Sequence, residues 1–133
     1  VNMNTGNTIG TQIGWDVTPS DYTKAVLLDA KRLSIRQAYA IFDGCVKRSP
    51  VDTGNFRASW RLTSDVPIYD YVIGGSSDNP LPPPKRPVIR PQAGFVLPKL
   101  YITNGQPYAL RLENGWSKKA PMGIVRVTLE SLK

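Results

Sequence analysis

Few residues in this chain have the chemistry of a catalytic or metal site. The 133 residues include no histidine and one cysteine, Cys45, so the commonest general base and metal ligand are missing and cysteines cannot form a zinc site. Asp52 and Glu113 could act together in a histidine-free nuclease or glycosidase, but no local motif joins them. Turn formation and salt bridges explain both acids more simply. We therefore expect no enzyme activity, no cofactor and no metal.

The sequence has a clear excess of positively charged residues. Seventeen Lys and Arg against ten Asp and Glu give a net charge of +7, which favours nucleic acid, a membrane surface or an acidic protein as partner. The basic residues that we expect to face DNA or an acidic partner are Arg32, Arg36, Lys85, Arg86, Arg90 and Lys99. No recognition helix accompanies them, so we expect weak, salt-sensitive contact that does not read sequence.

The charged residues of the long helix and the three tryptophans each allow two interpretations, a structural role or nucleic-acid binding. On the predicted helix, basic residues lie three or four positions after each of three acids, Asp21, Asp29 and Asp43. This spacing is typical of a solvated helix face with exposed ion pairs. The three tryptophans are either base-stacking side chains or anchors of a core or an interface, and they are Trp15, Trp60 and Trp116.

A long helix is predicted over residues 20–47. Thr18-Pro19-Ser20-Asp21 is typical of a helix start, and nothing interrupts the helix before Gly44. Apolar residues recur every three or four positions, which predicts a buried stripe that contains Val26, Leu33, Ile41 and Cys45.

The helix should stop before a turn at residues 49–54. Pro50 disfavours helical backbone at Ser49, Asp52 is a turn former, and Gly54 should adopt a positive φ. From Phe56 the apolar residues alternate with Arg57 and other polar residues, which predicts a strand over 56–66.

The remainder of the chain is predicted as short elements. A second strand over 68–74 would make a meander, and a third covers 100–104. A short helix over 108–113 should stop at Gly115. The last segment fits a helix or a strand, and we choose a helix with Met122, Val125, Leu129 and Leu132 on its apolar face.

A proline-rich segment at residues 76–98, hereafter the arm, should be neither helix nor central strand because it holds more than half of the twelve prolines. We expect it to lie outside its own core and to touch a neighbouring subunit or line a charged channel. A ligand for a signalling domain is another interpretation of its Pro-Pro-Pro-Lys stretch.

The length predicts one domain over 18–133, preceded by an extended leader at 1–17. Its predicted helices and strands make this an α+β domain. We expect a long helix packed on a small antiparallel sheet, with a short helix and the arm. No apolar run has the roughly 20 residues of a membrane span, and the first residues lack a signal-peptide profile. We therefore expect a soluble protein made in the cytoplasm, with no membrane contact.

Two blocks of residues carry a family resemblance. The stretch Ser49 to Trp60, after a long amphipathic helix, resembles the P-V-D-T-G, then R-x-S, signature of neck and tail-completion (minor tail) proteins of long-tailed phages. Its matching residues are Pro50, Val51, Asp52, Thr53, Gly54, Arg57 and Ser59. A second block follows Asn104, and its matching residues are Tyr108, Ala109, Glu113, Gly115 and Pro121.

The resemblance implies a structural virion protein without enzyme activity. Such proteins are expected to form a ring at the head–tail junction, hexameric in this interpretation, with DNA passing through it. The expected neighbours are other neck, connector or tail-terminator proteins, and the expected location is the virion. The arm and the leader have no counterpart in the family pattern. The alternative function is a nucleic-acid-binding accessory protein without sequence specificity.

Overall fold

One long helix organises the chain. The structure, a computed structural model, describes residues 19–94 and 96–133. Helix α1 spans Pro19–Arg48, so the predicted helix over 20–47 is confirmed. At 1.5 Å per residue it is roughly 45 Å long. It ends as Pro50 predicts, and Ser49 tightens the end by donating its hydroxyl proton to the Cys45 carbonyl at 2.7 Å.

The sheet consists of two antiparallel strands, β1 (Trp60–Ser64) and β2 (Leu100–Asn104). Trp60 lies opposite Asn104 and Ser64 lies opposite Leu100. One more bond, from the Asp65 N–H to the Lys99 carbonyl at 2.8 Å, continues the pairing. The predicted α+β class, a long helix on a small antiparallel sheet, is confirmed.

The core lies between the C-terminal half of α1, the sheet and the last helix. Apolar residues of α1 meet residues of β1, of the turn before it and of the C-terminal segment, namely Ala38, Phe42, Cys45, Phe56, Trp60, Leu62, Ala120 and Ile124. Ile35 is also buried, one turn before Ala38. The core therefore uses about half of the length of α1.

The predicted buried stripe of α1 is wrong in its N-terminal part. Val26 is 51% exposed and Leu33 is 48% exposed, whereas Cys45 is buried and Ile41 is half buried against the core. Leu33 and Phe42 are nine residues apart, which at 3.6 residues per turn places them about 180° apart around the helix. The N-terminal part of α1 therefore exposes an apolar stripe opposite the core. The core covers Ile35, Ala38 and Phe42, and the predicted stripe joins it only at Ile41 and Cys45.

The predicted strand over 56–66 begins four residues later than expected. Residues Asn55–Ala58 form a single helical turn, α2. The Gly54 carbonyl accepts the Ala58 N–H at 2.9 Å, and the Ser59 hydroxyl donates to the Asn55 carbonyl at 2.7 Å. These local bonds curl the chain, so that extended backbone starts only at Trp60.

The predicted strand over 68–74 is not a strand, and the meander is therefore wrong. Among the described residues this segment is held to the sheet by side chains. Arg61 contacts Asp70 at 3.0 Å, and the Thr103 hydroxyl donates to the Ile68 carbonyl. Arg61 and Thr103 alternate with the core residues of their strands, so the segment crosses the outer face of the sheet.

The arm lies along α1. Arg86 contacts Asp43 at 2.9 Å, the Ile89 N–H donates to the Tyr39 hydroxyl at 2.7 Å, and Lys31 donates to the carbonyls of Gln92 and Gly94 at 2.7 and 2.6 Å. The arm thus runs antiparallel to the helix.

The path of the arm corrects the expectation that it lies outside its own core, because Ile89 packs against the core. The arm also buries Lys31 of α1, which is 4% exposed beneath it, where carbonyl oxygens replace its water. Contact between the arm and a neighbouring subunit stays a prediction.

Two short helices complete the described chain. Helix α3 spans Ala109–Glu113, and Gly115, with φ 88°, ends it as predicted. Helix α4 spans Val125–Ser131, so the choice of a helix is confirmed. Its predicted face is wrong in part. Val125 packs against the core, but Met122, Leu129 and Leu132 are exposed, and Ile124 and Thr128 are the buried residues. The leader at 1–17 and the predicted cap at Thr18 lie outside the described residues.

Candidate functional site

The two blocks of the family resemblance meet in space. The turn Pro50–Phe56 forms one wall of a half-open groove, and Ser117–Lys119 forms another, with Tyr108 and Leu112 between them. We call it the motif groove, and its volume is about 640 Å³. Phe56 and Tyr108 make its aromatic floor, with ring centroids 6.2 Å apart. The sequence identified both blocks but carried no sign that they share one surface.

Gly54 allows the first wall to turn. Its φ of 80° confirms the predicted left-handed backbone. The Leu81 backbone passes directly against it, and the Leu81 N–H donates to the Thr53 carbonyl at 2.9 Å. Arg57 donates to the Leu81 carbonyl at 2.7 Å. Thr53, Gly54 and Arg57 therefore fasten the beginning of the arm to the turn.

Asp52 and Glu113 have separate partners. Asp52 accepts the hydroxyl proton of Ser77 at 2.6 Å, which is a further link from the turn to the arm. Glu113 accepts three backbone N–H groups of another segment. The geometry thus gives each acid a structural contact. Within residues 19–94 and 96–133, no group of three His, Cys, Asp or Glu side chains could hold a metal ion.

Ser59 is the centre of a buried polar network. Its hydroxyl accepts the Val72 N–H at 3.1 Å and a Gln106 amide proton at 3.0 Å. The same Gln106 amide donates to the Val72 carbonyl at 2.8 Å, and Asn104 donates to the Phe56 carbonyl at 2.8 Å. The network joins α2, the segment over the sheet and the residues after β2. Gln106 was missed by the sequence analysis, because a glutamine in a turn carries no signal of burial.

The remaining residues of the resemblance also make structural contacts. The Val51 carbonyl accepts a hydrogen bond from Lys119 at 2.7 Å, which ties the two walls of the motif groove. Ala109 packs against the core, and the Pro121 carbonyl lies against Gly115. Burial and the charge of Asp52 raise the pKa of Tyr108, so its hydroxyl stays protonated at neutral pH.

Glu113 organises the start of α4. Its carboxylate accepts the N–H groups of Ile124, Val125 and Arg126 at 2.8 to 3.0 Å. Burial favours the neutral form, but the three donors and the Arg126 charge outweigh it and hold the pKa of Glu113 below its ordinary value. Ionised Glu113 therefore supplies the acceptor that the first turn of α4 lacks within itself.

We predict that Glu113→Gln lowers the free energy of unfolding by about 1–3 kcal/mol at neutral pH, because the charged acceptor of three N–H groups is removed. The pKa of Glu113 is lower in the folded state, so this stability is complete above pH about 5 and disappears as the pH falls through the folded-state pKa. Urea unfolding at several pH values measures the difference. Glu130→Gln is the control, since Glu130 contacts only Lys133 at the surface. An equal effect of both variants would contradict the role of Glu113.

The structure separates the six basic residues predicted to face DNA or a partner. Arg86 is held by Asp43 and lies over the Tyr39 ring, 4.4 Å from its centroid. The other five are exposed on three elements, with Arg32 and Arg36 on α1, Lys85 and Arg90 on the arm, and Lys99 just before β2. Arg32 and Arg36 border a hollow of about 460 Å³ beside Ile89 and Pro91 of the arm. Five of the six therefore lie on the arm or on α1, while other exposed cations such as Lys118 and Arg126 lie elsewhere on the surface.

The tryptophans take different places. Trp60 is a core anchor, 5% exposed, and its indole N–H donates to the Ser49 hydroxyl. Trp116 is exposed, with the Arg111 guanidinium 5.1 Å from its ring centroid. Trp15 lies outside the described residues. The core interpretation is thus confirmed for Trp60, while the exposed ring of Trp116 is open to contact with a partner.

Comparisons with protein-family models, with curated proteins and with solved structures found no match. None of the described helices combines the length and the apolar character that a membrane span needs.

Proposed function

We propose that this chain is a structural virion protein of the head–tail junction of a long-tailed phage, a neck or tail-completion component that forms a ring through which DNA passes. The observation that carries the proposal is the motif groove. Five matching residues of the first block, Pro50 to Gly54, line it together with Tyr108 of the second block, about 50 residues further along the chain. This shared surface supports the interpretation that the two blocks belong to one signature.

Surface composition supports a role in assembly. The described chain leaves several large apolar residues exposed on α1, together with Tyr69, Tyr71 and Ile73 on the segment that crosses the sheet. Exposed apolar surface of this extent is typical of protein interaction sites. A homo-oligomer, hexameric in the family interpretation, would cover such surface, and other neck, connector or tail-terminator proteins would cover the rest.

The basic surface supports passage of DNA. Lys85 and Arg90 are exposed on the arm, and neither makes an ion pair with a described residue. Ammonium and guanidinium groups attract phosphate without reading base sequence, which suits a channel in which every base pair must move past.

The size of the assembled protein tests the proposal. Light scattering and negative-stain images of the purified chain are expected to give closed rings of uniform subunit number. If the chain stays monomeric over a wide concentration range and also binds DNA tightly, the alternative function, a nucleic-acid-binding accessory protein, is correct instead. The exposed basic side chains on the arm and on α1, which attract phosphate, are the observation that favours this alternative.

We predict that the rings bind two unrelated DNA duplexes with equal, weak affinity. The logarithm of the affinity should fall by about 0.9 per neutralised phosphate for each tenfold rise in salt. The double variant Lys85→Gln and Arg90→Gln should reduce this slope by about 0.9 for each phosphate that the variant no longer neutralises. Lys133→Gln, at the exposed C-terminal end, is the matched control. A strong preference for one duplex would refute the assignment of these residues to a DNA-facing surface. The same salt dependence of binding in the double variant and the wild type would also refute it.

A further inference from the structure

The exposed stripe of α1 is a continuous apolar ridge. Tyr22 is 65% exposed, and with Val26 and Leu33 it occupies the side of the helix opposite the core. At 1.5 Å per residue the ridge is roughly 16 Å long. Single exposed apolar residues are ordinary, but three large ones in line on a rigid helix are typical of a surface that a partner covers.

The motif groove offers the complementary shape on the same chain. Its floor is apolar and aromatic, formed by Phe56, Tyr108 and Leu112. Amphipathic helices bind such grooves through apolar residues spaced three, four or seven positions apart. Val26 and Leu33 are seven positions apart, and Tyr22 precedes Val26 by four.

Charges beside the ridge and the groove are opposite in sign. Asp29 and Arg36 flank the ridge on one side of α1, roughly 10 Å apart along the helix axis. The groove has exposed Lys118 on one wall and Asp52 on the other. Lys118 makes no hydrogen bond or ion pair with a described residue, so its ammonium group can bind a carboxylate partner.

The ridge cannot reach the groove of its own chain. Leu33 lies roughly 22 Å along α1 from Arg48, where the helix ends and the first wall of the groove begins. A rigid helix keeps these two surfaces apart. The partner of the ridge must therefore be another molecule, and the chain that carries the matching groove is a second copy.

We propose that the ridge of one copy docks in the motif groove of the next, with Asp29 beside Lys118 and Arg36 beside Asp52. This contact joins two different surfaces and leaves one ridge and one groove free at the ends of every open assembly. Such head-to-tail contacts close into a ring when the rotation between copies allows it. The inference rests on the proposed function and specifies its subunit interface.

Cross-linking between two variants, each with one introduced cysteine, tests the contact. Val26→Cys and Ser117→Cys are purified separately, mixed, and oxidised mildly. Native Cys45 does not compete, because it is fully buried and burial raises the pKa of its thiol to about 11. We expect disulfide dimers that contain one copy of each variant, identified by mass spectrometry. Dimers of Val26→Cys alone would mean that two ridges pack together, and absence of the mixed dimer would overturn the proposal.

Charge reversal gives a second test that needs no cross-link. Asp29→Lys and Lys118→Glu should each weaken assembly at least about tenfold, because like charges then face each other in the interface. The double variant should recover most of this affinity. Lys24→Glu is the control, since Lys24 is exposed on the side of α1 opposite the ridge. Rings that form equally well in all variants would refute this interface and leave the proposed function standing. A wild-type chain that never forms rings would refute the proposed function itself.

Discussion

Gly54→Ala is expected to lower the free energy of unfolding by at least about 3 kcal/mol. A non-glycine residue with positive φ costs roughly 1–3 kcal/mol on its own. At Gly54 the added Cβ would also lie 2.5 Å from the Leu81 carbonyl oxygen and closer still to the Leu81 nitrogen. These are backbone atoms held by Thr53 and Arg57, so the clash moves the arm or opens the turn. Chemical denaturation monitored by tryptophan fluorescence measures the change in stability.

Gly74→Ala is the matched control for this prediction. Gly74 also has a positive φ, 110°, but no atom lies within 4 Å of a Cβ built there. It should show only the cost of the backbone conformation. If Gly54→Ala is no more harmful than Gly74→Ala, the close approach of Leu81 has no energetic weight, and our account of how the turn holds the arm fails.

Phe42→Ala is expected to lower the free energy of unfolding by about 3–5 kcal/mol, the usual range for an aromatic side chain removed from a packed core. Phe42 is 2% exposed and lies in the main cluster between α1 and the sheet. Leu33→Ala is the paired variant on the other stripe of α1. It should cost less than about 1 kcal/mol in the monomer, because half of the side chain is already in water.

Thermal unfolding of both variants under monomeric conditions distinguishes the two stripes of α1. A large destabilisation by Leu33→Ala with little effect of Phe42→Ala would mean that the helix packs through the face that the sequence favoured. In our interpretation Leu33→Ala instead affects assembly, since Leu33 belongs to the proposed interface. The same substitution thus separates folding from association.

The sequence was sufficient to predict helix ends and turns that depend on the backbone of a single residue. Pro50 ends α1, Gly54 turns the chain with positive φ, and Gly115 ends α3, because each residue restricts or frees its own backbone. The face of α1 could not be predicted in this way. Periodicity detects an apolar stripe but does not say whether the same chain or a partner covers it, and α1 has two.

Tertiary contacts decided the segments that the sequence misread. Residues 68–74 have the composition of a strand, but the side chains of Arg61 and Thr103 hold them across the sheet. The turn α2 is the exception, since the Ser59 hydroxyl bonds to the Asn55 carbonyl only four residues away. The sequence gives no sign that Lys31 is buried, because the arm that covers it is distant along the chain. Most of these partners are distant in sequence, so no window of neighbouring residues contains the information.

The sequence predicted several residues of the motif groove but not that they form one surface. The resemblance identified residues such as Asp52, Gly54 and Glu113 without giving them contacts. The structure assigns most of them to holding the turn, the arm and α4 together. Lys118, an exposed groove residue that the proposed interface pairs with Asp29, was not among the residues that the sequence selected.

The wide separation of β1 and β2 along the chain constrains the order of folding. The two strands are joined by about 35 residues, and closing such a loop costs about 2 kcal/mol more entropy than closing a four-residue hairpin. Pairing of this kind raises the contact order and slows the crossing of the folding barrier. During synthesis, α1 leaves the ribosome long before β2 exists. Phe42 and Cys45 therefore stay in water until the last third of the chain arrives, and a chaperone has its opportunity to bind in that interval.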